Sequence, residues 1–311
     1  MPQRIKLLED LQPQFSFDGA TTFTTIESKV KIEQLFNHGR WKLPFTMKHL
    51  LFCLYLPFGI ILWPIRLVII VLLFSLTLFL PKSFSKYSKP MTKLAMGIKT
   101  KYNGLENLPK KGDKSGARIL VCNHLTDFDP YPLFGVLEEN HVMVGAHIKD
   151  VPIVGKLYEK FNTIYVDQNN KPKARIDVLN SLSNTDFPLL IYPEGGLNNG
   201  KTGLMMFNKF VFGLGHSICP ISMKLHNDWP VEVDYINSSW FKNFFWWLLI
   251  PYHNFELTFL PHESIKQDET DSEFATRVQN IIAKQLGLEA TLFNYTQKRQ
   301  YAKHLLSLKS K

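Results

Sequence analysis

Three cysteines in 311 residues are too few and too scattered for a disulfide framework. Cys53, Cys122 and Cys219 each lie in an apolar run, which suits reduced, buried thiols in a cytosol-facing protein. No His, Cys, Asp or Glu cluster has ligand spacing, so no metal is expected. Zinc-finger, helix-turn-helix and aromatic RNA-binding signatures are missing, as are internal repeats and low-complexity tracts. Acid is in short supply, with 27 Asp and Glu against 36 Lys and Arg, a net charge of +9. A basic balance favours a polyanionic partner. Without nucleic-acid signatures, the expected partner is a membrane lipid surface and not nucleic acid. Hydrophobic residues make up 45% and Phe numbers 24, which excludes a disordered or collagen-like chain.

Charge is scarcest over residues 50–80, a run of 31 whose single charged side chain is Arg66. The run starts too late and is too long to be a removable signal peptide. As one straight helix it would reach about 46 Å, beyond a hydrocarbon core of roughly 30 Å. Pro57 and Pro64 interrupt it, leaving arms at 50–63 and 67–80, each too short to span. Basic residues flank both ends: Arg40, Lys42 and Lys48 before, and Lys82, Lys86, Lys89 and Lys93 after. The pattern predicts a re-entrant membrane hairpin with both ends on the cytosolic side, and the alternative is a tilted span over about 60–80. The sequons at Asn237 and Asn294 are then expected to stay unmodified. The aromatic run 240–252 reads equally as an interfacial belt or as a buried helix.

Beyond this run, short apolar strands alternate with helical segments. Strands are predicted over 118–122, 141–145, 163–166 and 189–192, with helices over 130–139, 153–161, 173–182 and 273–286. That alternation predicts an α/β fold, a sheet covered by helices. Thr270 and Glu273 form a capping box for the last helix, with Gly287 as its stop.

The chemistry concentrates at strand ends, where ligands bind in such sheets. Asn123-His124-Leu125-Thr126-Asp127-Phe128-Asp129-Pro130 follows the first strand. Four residues separate His124 from Asp129 across a turn, so the carboxylate can fix the imidazole tautomer and leave the other nitrogen as a general base. With no nucleophile motif beside it, the base would activate a substrate hydroxyl. Asp129 before Pro130 also reads as a simple helix cap. Tyr192-Pro193-Glu194-Gly195-Gly196 follows the fourth strand, and Cys219-Pro220-Ile221 comes later.

These blocks resemble the glycerolipid acyltransferase superfamily typified by bacterial lysophosphatidic acid acyltransferase. Asn123, His124 and Asp129 match its Asn-His-x4-Asp block, and Pro193, Glu194 and Gly195 match its Phe-Pro-Glu-Gly-Thr-Arg block. Residues 149–155 and 162–167 resemble its second block and the segment before it. The resemblance implies acyl transfer from acyl-CoA, a co-substrate and not a resident cofactor, to a lysophospholipid hydroxyl. It makes His124 the general base, Asp129 its orienter, and Asn123, Glu194, Gly195 and Gly196 substrate-binding. Two arginines of the family's phosphate clamp are replaced, by Gln168 and Leu197, and a bidentate guanidinium is not replaced by either. Lys156, Lys171, Lys173 or Lys201 would have to serve as point charges.

The aromatic run, the run 203–207, the segment 273–279 and the proline-containing apolar segment further resemble the ancient ubiquitous protein family. That resemblance implies residence in the endoplasmic reticulum membrane and on lipid droplets, with the domain facing the cytosol. It also implies a role in degrading reticulum proteins through ubiquitin-conjugation machinery. In the family that recruitment uses a CUE domain and a following helix, neither of which occurs before Lys311, so this expectation is the weaker one. The expected organisation is a polar tail over 1–42 and a membrane hairpin with basic connector over 43–95. An acyltransferase-like domain over 96–290 and a basic tail over 291–311 complete it.

Overall fold

The computed structural model describes residues 29–110, 116–137, 139–151, 154–167 and 170–309. The expectations for residues 1–28, the loop 111–115 and Gln168 lie outside them.

The first long element is α1 (Met47–Phe79), and it corrects the expected hairpin: 33 residues run as one helix through both prolines. The physical reason is that apolar surroundings offer no water to unpaired backbone groups, so a proline bends a helix there more readily than it ends one. Arg66 supplies a second reason. Its guanidinium does not mark a turn; it donates to the carbonyls of Leu248 (3.0 Å), Ile250 (2.7 Å) and Pro251. One face of α1 therefore packs along the domain. Phe52, Gly59, Ile70, Leu73 and Thr77 are buried, and Tyr55 donates to the Leu249 carbonyl at 3.1 Å. The opposite face exposes Leu54, Phe58, Ile61, Ile65, Val68 and Leu72, spaced four and three residues apart. Among the described residues, α1 alone is long and apolar enough to cross a membrane.

After α1 come α2 (Ser85–Ala95), β1 (Ile98–Asn103), β2 (Ile119–Cys122), β3 (His141–Gly145) and α3 (Val154–Lys160). Then follow β4 (Thr163–Val166), α4 (Lys171–Asn184), β5 (Leu189–Ile191), β6 (Gly203–Leu204) and β7 (Ile218–His226). The chain ends with α5 (Trp240–Leu249), β8 (His253–Phe259), α6 (Asp271–Leu286), β9 (Glu289–Ala290) and α7 (Tyr295–Lys309). Seven strands form one sheet in the order β1-β8-β7-β2-β5-β3-β4, with every pair parallel except β7–β8. Helices cover it, as the strand-helix alternation predicts.

Two apolar clusters lie on either side of the sheet. Leu120 and Cys122 of β2 join α1 and α5 on one side, whereas Ile119 and Val121 join α4 and α6 on the other. The capping box at Thr270 and Glu273 forms, and Gly287 ends α6 at φ 69°. The helix expected over 130–139 does not form. Pro132 and a left-handed Gly135 (φ 98°) reduce it to a short 3-10 turn, Tyr131–Leu133. The expected basic tail over 291–311 is instead α7. Its Tyr301 is buried with Leu35, Phe36, Met205 and Ile236, so the segment before α1 and the last helix pack on each other.

Candidate active site

The loop leaving β2 is built around Asp129, which is fully buried. Its carboxylate accepts from the Leu125 amide (2.5 Å), the Thr126 amide (3.0 Å) and the Thr126 hydroxyl (2.8 Å). It also accepts from His124 Nδ1 at 2.9 Å. Three local donors leave this carboxylate one orientation, and it in turn sets the imidazole. The ring lies flat on Tyr192, with centroids 4.5 Å apart, and its side chain is 21% exposed. With Nδ1 on the carboxylate, Nε2 is the nitrogen free to take a proton. The juxtaposition expected of the His-x4-Asp spacing is therefore present.

The second expected strand-end loop meets the first. Glu194 Oε1 accepts from the His124 amide at 2.8 Å and Oε2 from the Met205 amide at 2.8 Å. Asn198 Nδ2 donates to both oxygens, at 2.8 and 2.6 Å. The carboxylate is 1% exposed, and burial pushes it up to about 7 against the pull of these donors. Glu194 thus zips the two loops together and presents no oxygen outward, unlike the acceptor contact the resemblance implies. Glu194→Gln should cost about 1–3 kcal/mol, because its amide would face donors already aimed at that oxygen. Urea unfolding measures it, and an unchanged midpoint would remove Glu194 from this role.

Asn123 is likewise turned inward. It exchanges hydrogen bonds with the backbone of Met223, at 2.8 and 2.9 Å, and ties the end of β2 to β7. Gly195 supplies a positive φ of 69° at the turn. Gly196 allows a close approach, since a Cβ there would lie 2.8 Å from the Tyr295 ring of α7. Restoring the family's threonine with Gly196→Thr should therefore cost about 1–3 kcal/mol. A double-mutant cycle with Tyr295→Ala should recover most of it, and independent, additive costs would show that no clash exists.

Beside this loop opens a cavity of about 220 Å³, lined in part by Phe36, Asp127, Asp234, Tyr235, Trp240 and Lys298. Asp127 lies outside the His124 pair, as expected, and sits exposed at the rim. Sequence reasoning missed Lys298, whose Nζ donates to the Leu197 carbonyl at 2.5 Å across 101 residues of chain. Lys201, one of the four lysines considered as a substitute cation, is engaged by Glu232 (2.6 Å) and Asn37 (2.8 Å).

Comparison with known proteins agrees with the blocks. The family model named Acyltransferase matches residues 99–224. The lipid droplet-regulating VLDL assembly factor AUP1 of Xenopus laevis is 29% identical over 266 residues, 84% of this chain. The match covers 62% of the frog protein, so the chain spans about three-fifths of that relative's length. Lysophospholipid acyltransferase LPCAT4 of Xenopus tropicalis is 30% identical over 186 residues, covering 56% of this chain and 35% of that one. The crystal structure of the 1-acyl-sn-glycerophosphate acyltransferase PlsC of Thermotoga maritima aligns with a TM-score of 0.49 at 16% identity. That alignment covers 66% of this chain and 76% of the bacterial one. Residues 99–224 thus match an acyltransferase domain, and the chain is similar in sequence to a lipid droplet-regulating factor and to a lysophospholipid acyltransferase.

Proposed function

We propose that the protein transfers an acyl chain from acyl-CoA to the hydroxyl of a lysophospholipid at a membrane surface. The observation that carries this reading is the His124–Asp129 pair, held by a buried carboxylate with Nε2 left free. His124 Nε2 takes the proton of the acceptor hydroxyl as its oxygen attacks the thioester carbonyl. The tetrahedral oxyanion collapses with cleavage of the C–S bond, and the departing thiolate receives the proton from the imidazolium. Atoms and charge balance without a metal or resident cofactor. Asp129 holds the tautomer and stabilises the imidazolium, while Glu194 and Asn123 fix the loops around it.

The membrane part of the reading is supported by the exposed face of α1 and by Trp240, Phe241 and Phe245 of α5, at 48, 79 and 42% exposure. We place the domain on the cytosolic face of the endoplasmic reticulum and on lipid droplets. A second reading, a catalytically weak adaptor in reticulum-associated degradation and droplet organisation, is favoured by the replacement of the clamp arginine by Leu197 and by the droplet-regulating name of the frog relative. An acyl-CoA transfer assay over a panel of lysolipids, with His124→Ala as control, separates the two.

A further inference from the structure

The cavity beside the Glu194 loop is lined by charges of both signs that attract one another across it without meeting in a direct ion pair. Lys298 reaches in from α7, bonded to the carbonyl of Leu197, the residue standing where the family's clamp arginine would be. Its ammonium lies 5.1 Å from the centre of the Phe36 ring, and burial pulls its basicity down. Asp234 lies on the same wall and accepts from Ser238 (2.7 Å) and Asn243 (2.8 Å), with burial pushing its carboxyl up. Asp127 stands at the rim, 3.5 Å from the same Asn243 side chain. Among the described residues, neither carboxylate comes within ion-pair distance of Lys298. Tyr235 and Trp240 complete the lining with aromatic surface.

A cavity with one cation, two carboxylates and aromatic walls is complementary to a zwitterion. Phosphate suits the lysine, whereas an ammonium suits carboxylates and ring faces. A phosphomonoester, with a second negative charge and no ammonium, leaves both carboxylates unpaired against it. We infer that this cavity binds the head group of a zwitterionic lysophospholipid, with its phosphate on Lys298 and its ammonium toward Asp127 and Asp234. The inference rests on the acyl-transfer reading for the class of acceptor, and it returns from position 298 the cation lost at position 197.

Ligand-observed NMR on the full chain in detergent tests it without catalysis. The probes are glycerophosphoethanolamine, glycerophosphocholine, glycerol 3-phosphate and coenzyme A. Both zwitterions should bind, and glycerol 3-phosphate should bind roughly 10-fold more weakly or worse, the scale of one charge-assisted contact. Lys298→Met should lower zwitterion affinity by roughly 10-fold or more, with Lys298→Arg restoring it. Asp234→Asn should erase the preference over glycerol 3-phosphate. Equal binding of glycerol 3-phosphate, no binding of either zwitterion, or indifference to Lys298→Met would each overturn the assignment. So would Lys298-dependent binding of coenzyme A that displaces the zwitterions, which would give the lysine to the acyl donor. His124→Ala should bind the probes like wild type. If no lysolipid is acylated and this binding persists, the transfer reading falls and the head-group site stands.

Discussion

His124→Ala should lower acyl transfer by roughly 100-fold or more, the usual scale for losing a general base. Asp129→Asn should follow it, because an amide can present its NH2 to Nδ1 and favour the wrong tautomer. The two losses should not add, since the carboxylate acts only through the imidazole. Asp129 also carries the loop, accepting from Leu125 and Thr126, so its replacement should lower the unfolding midpoint where His124→Ala does not. The measurement is initial transfer rate from acyl-CoA to each of several lysolipids, beside urea unfolding. If wild type and His124→Ala transfer equally to every acceptor, the enzyme reading is abandoned for the adaptor.

Membrane association should depend on the outer face of α1 and be indifferent to the site. Replacing Leu54, Phe58, Ile61 and Ile65 together by serine should release the protein from membranes and droplets. All four are exposed on one face and contact no buried cluster. A buried Leu or Phe contributes roughly 1.5–3 kcal/mol, so four should shift the partition by roughly 10⁴-fold or more. His124→Ala and Asp129→Ala should stay bound. Flotation with liposomes and droplets, at low and high salt, reads both. Retention of the fourfold variant would mean that α5 or the basic flanks carry the attachment.

What could be read in the sequence follows from which forces are local. β2 and β5 are continuous apolar runs because both their faces are covered, and β3 and β4, half-buried toward the sheet edge, still stand out as short apolar segments. β1 is Ile-Lys-Thr-Lys-Tyr-Asn, a polar strand at the sheet edge that looks like connector. β7 is hidden by Pro220, which argues against a central strand, yet it lies between β2 and β8. His124 and Asp129 were legible because five residues of chain bring them together. Lys298 was not, since nothing in the local pattern of a basic C-terminal segment points 101 residues back to Leu197. Arg66 misled in the same way: its three acceptors lie 182 to 185 residues on, so it read as the apex of a hairpin.

The docking of α7 on the Glu194 loop has a consequence for biogenesis. α1 ends at Phe79 and the helix carrying Tyr295 and Lys298 lies far downstream of it, so on a translating ribosome they emerge at different times. At about 5–20 residues per second, the interval is roughly 10–40 s. During it α1 has reached the translation apparatus's exit and can engage lipid, while the cavity lacks its lysine and the glycine loop lacks its cover. On the proposed reading, attachment therefore precedes completion of the pocket, and a nascent chain stalled before Tyr295 would be anchored with its head-group site still open.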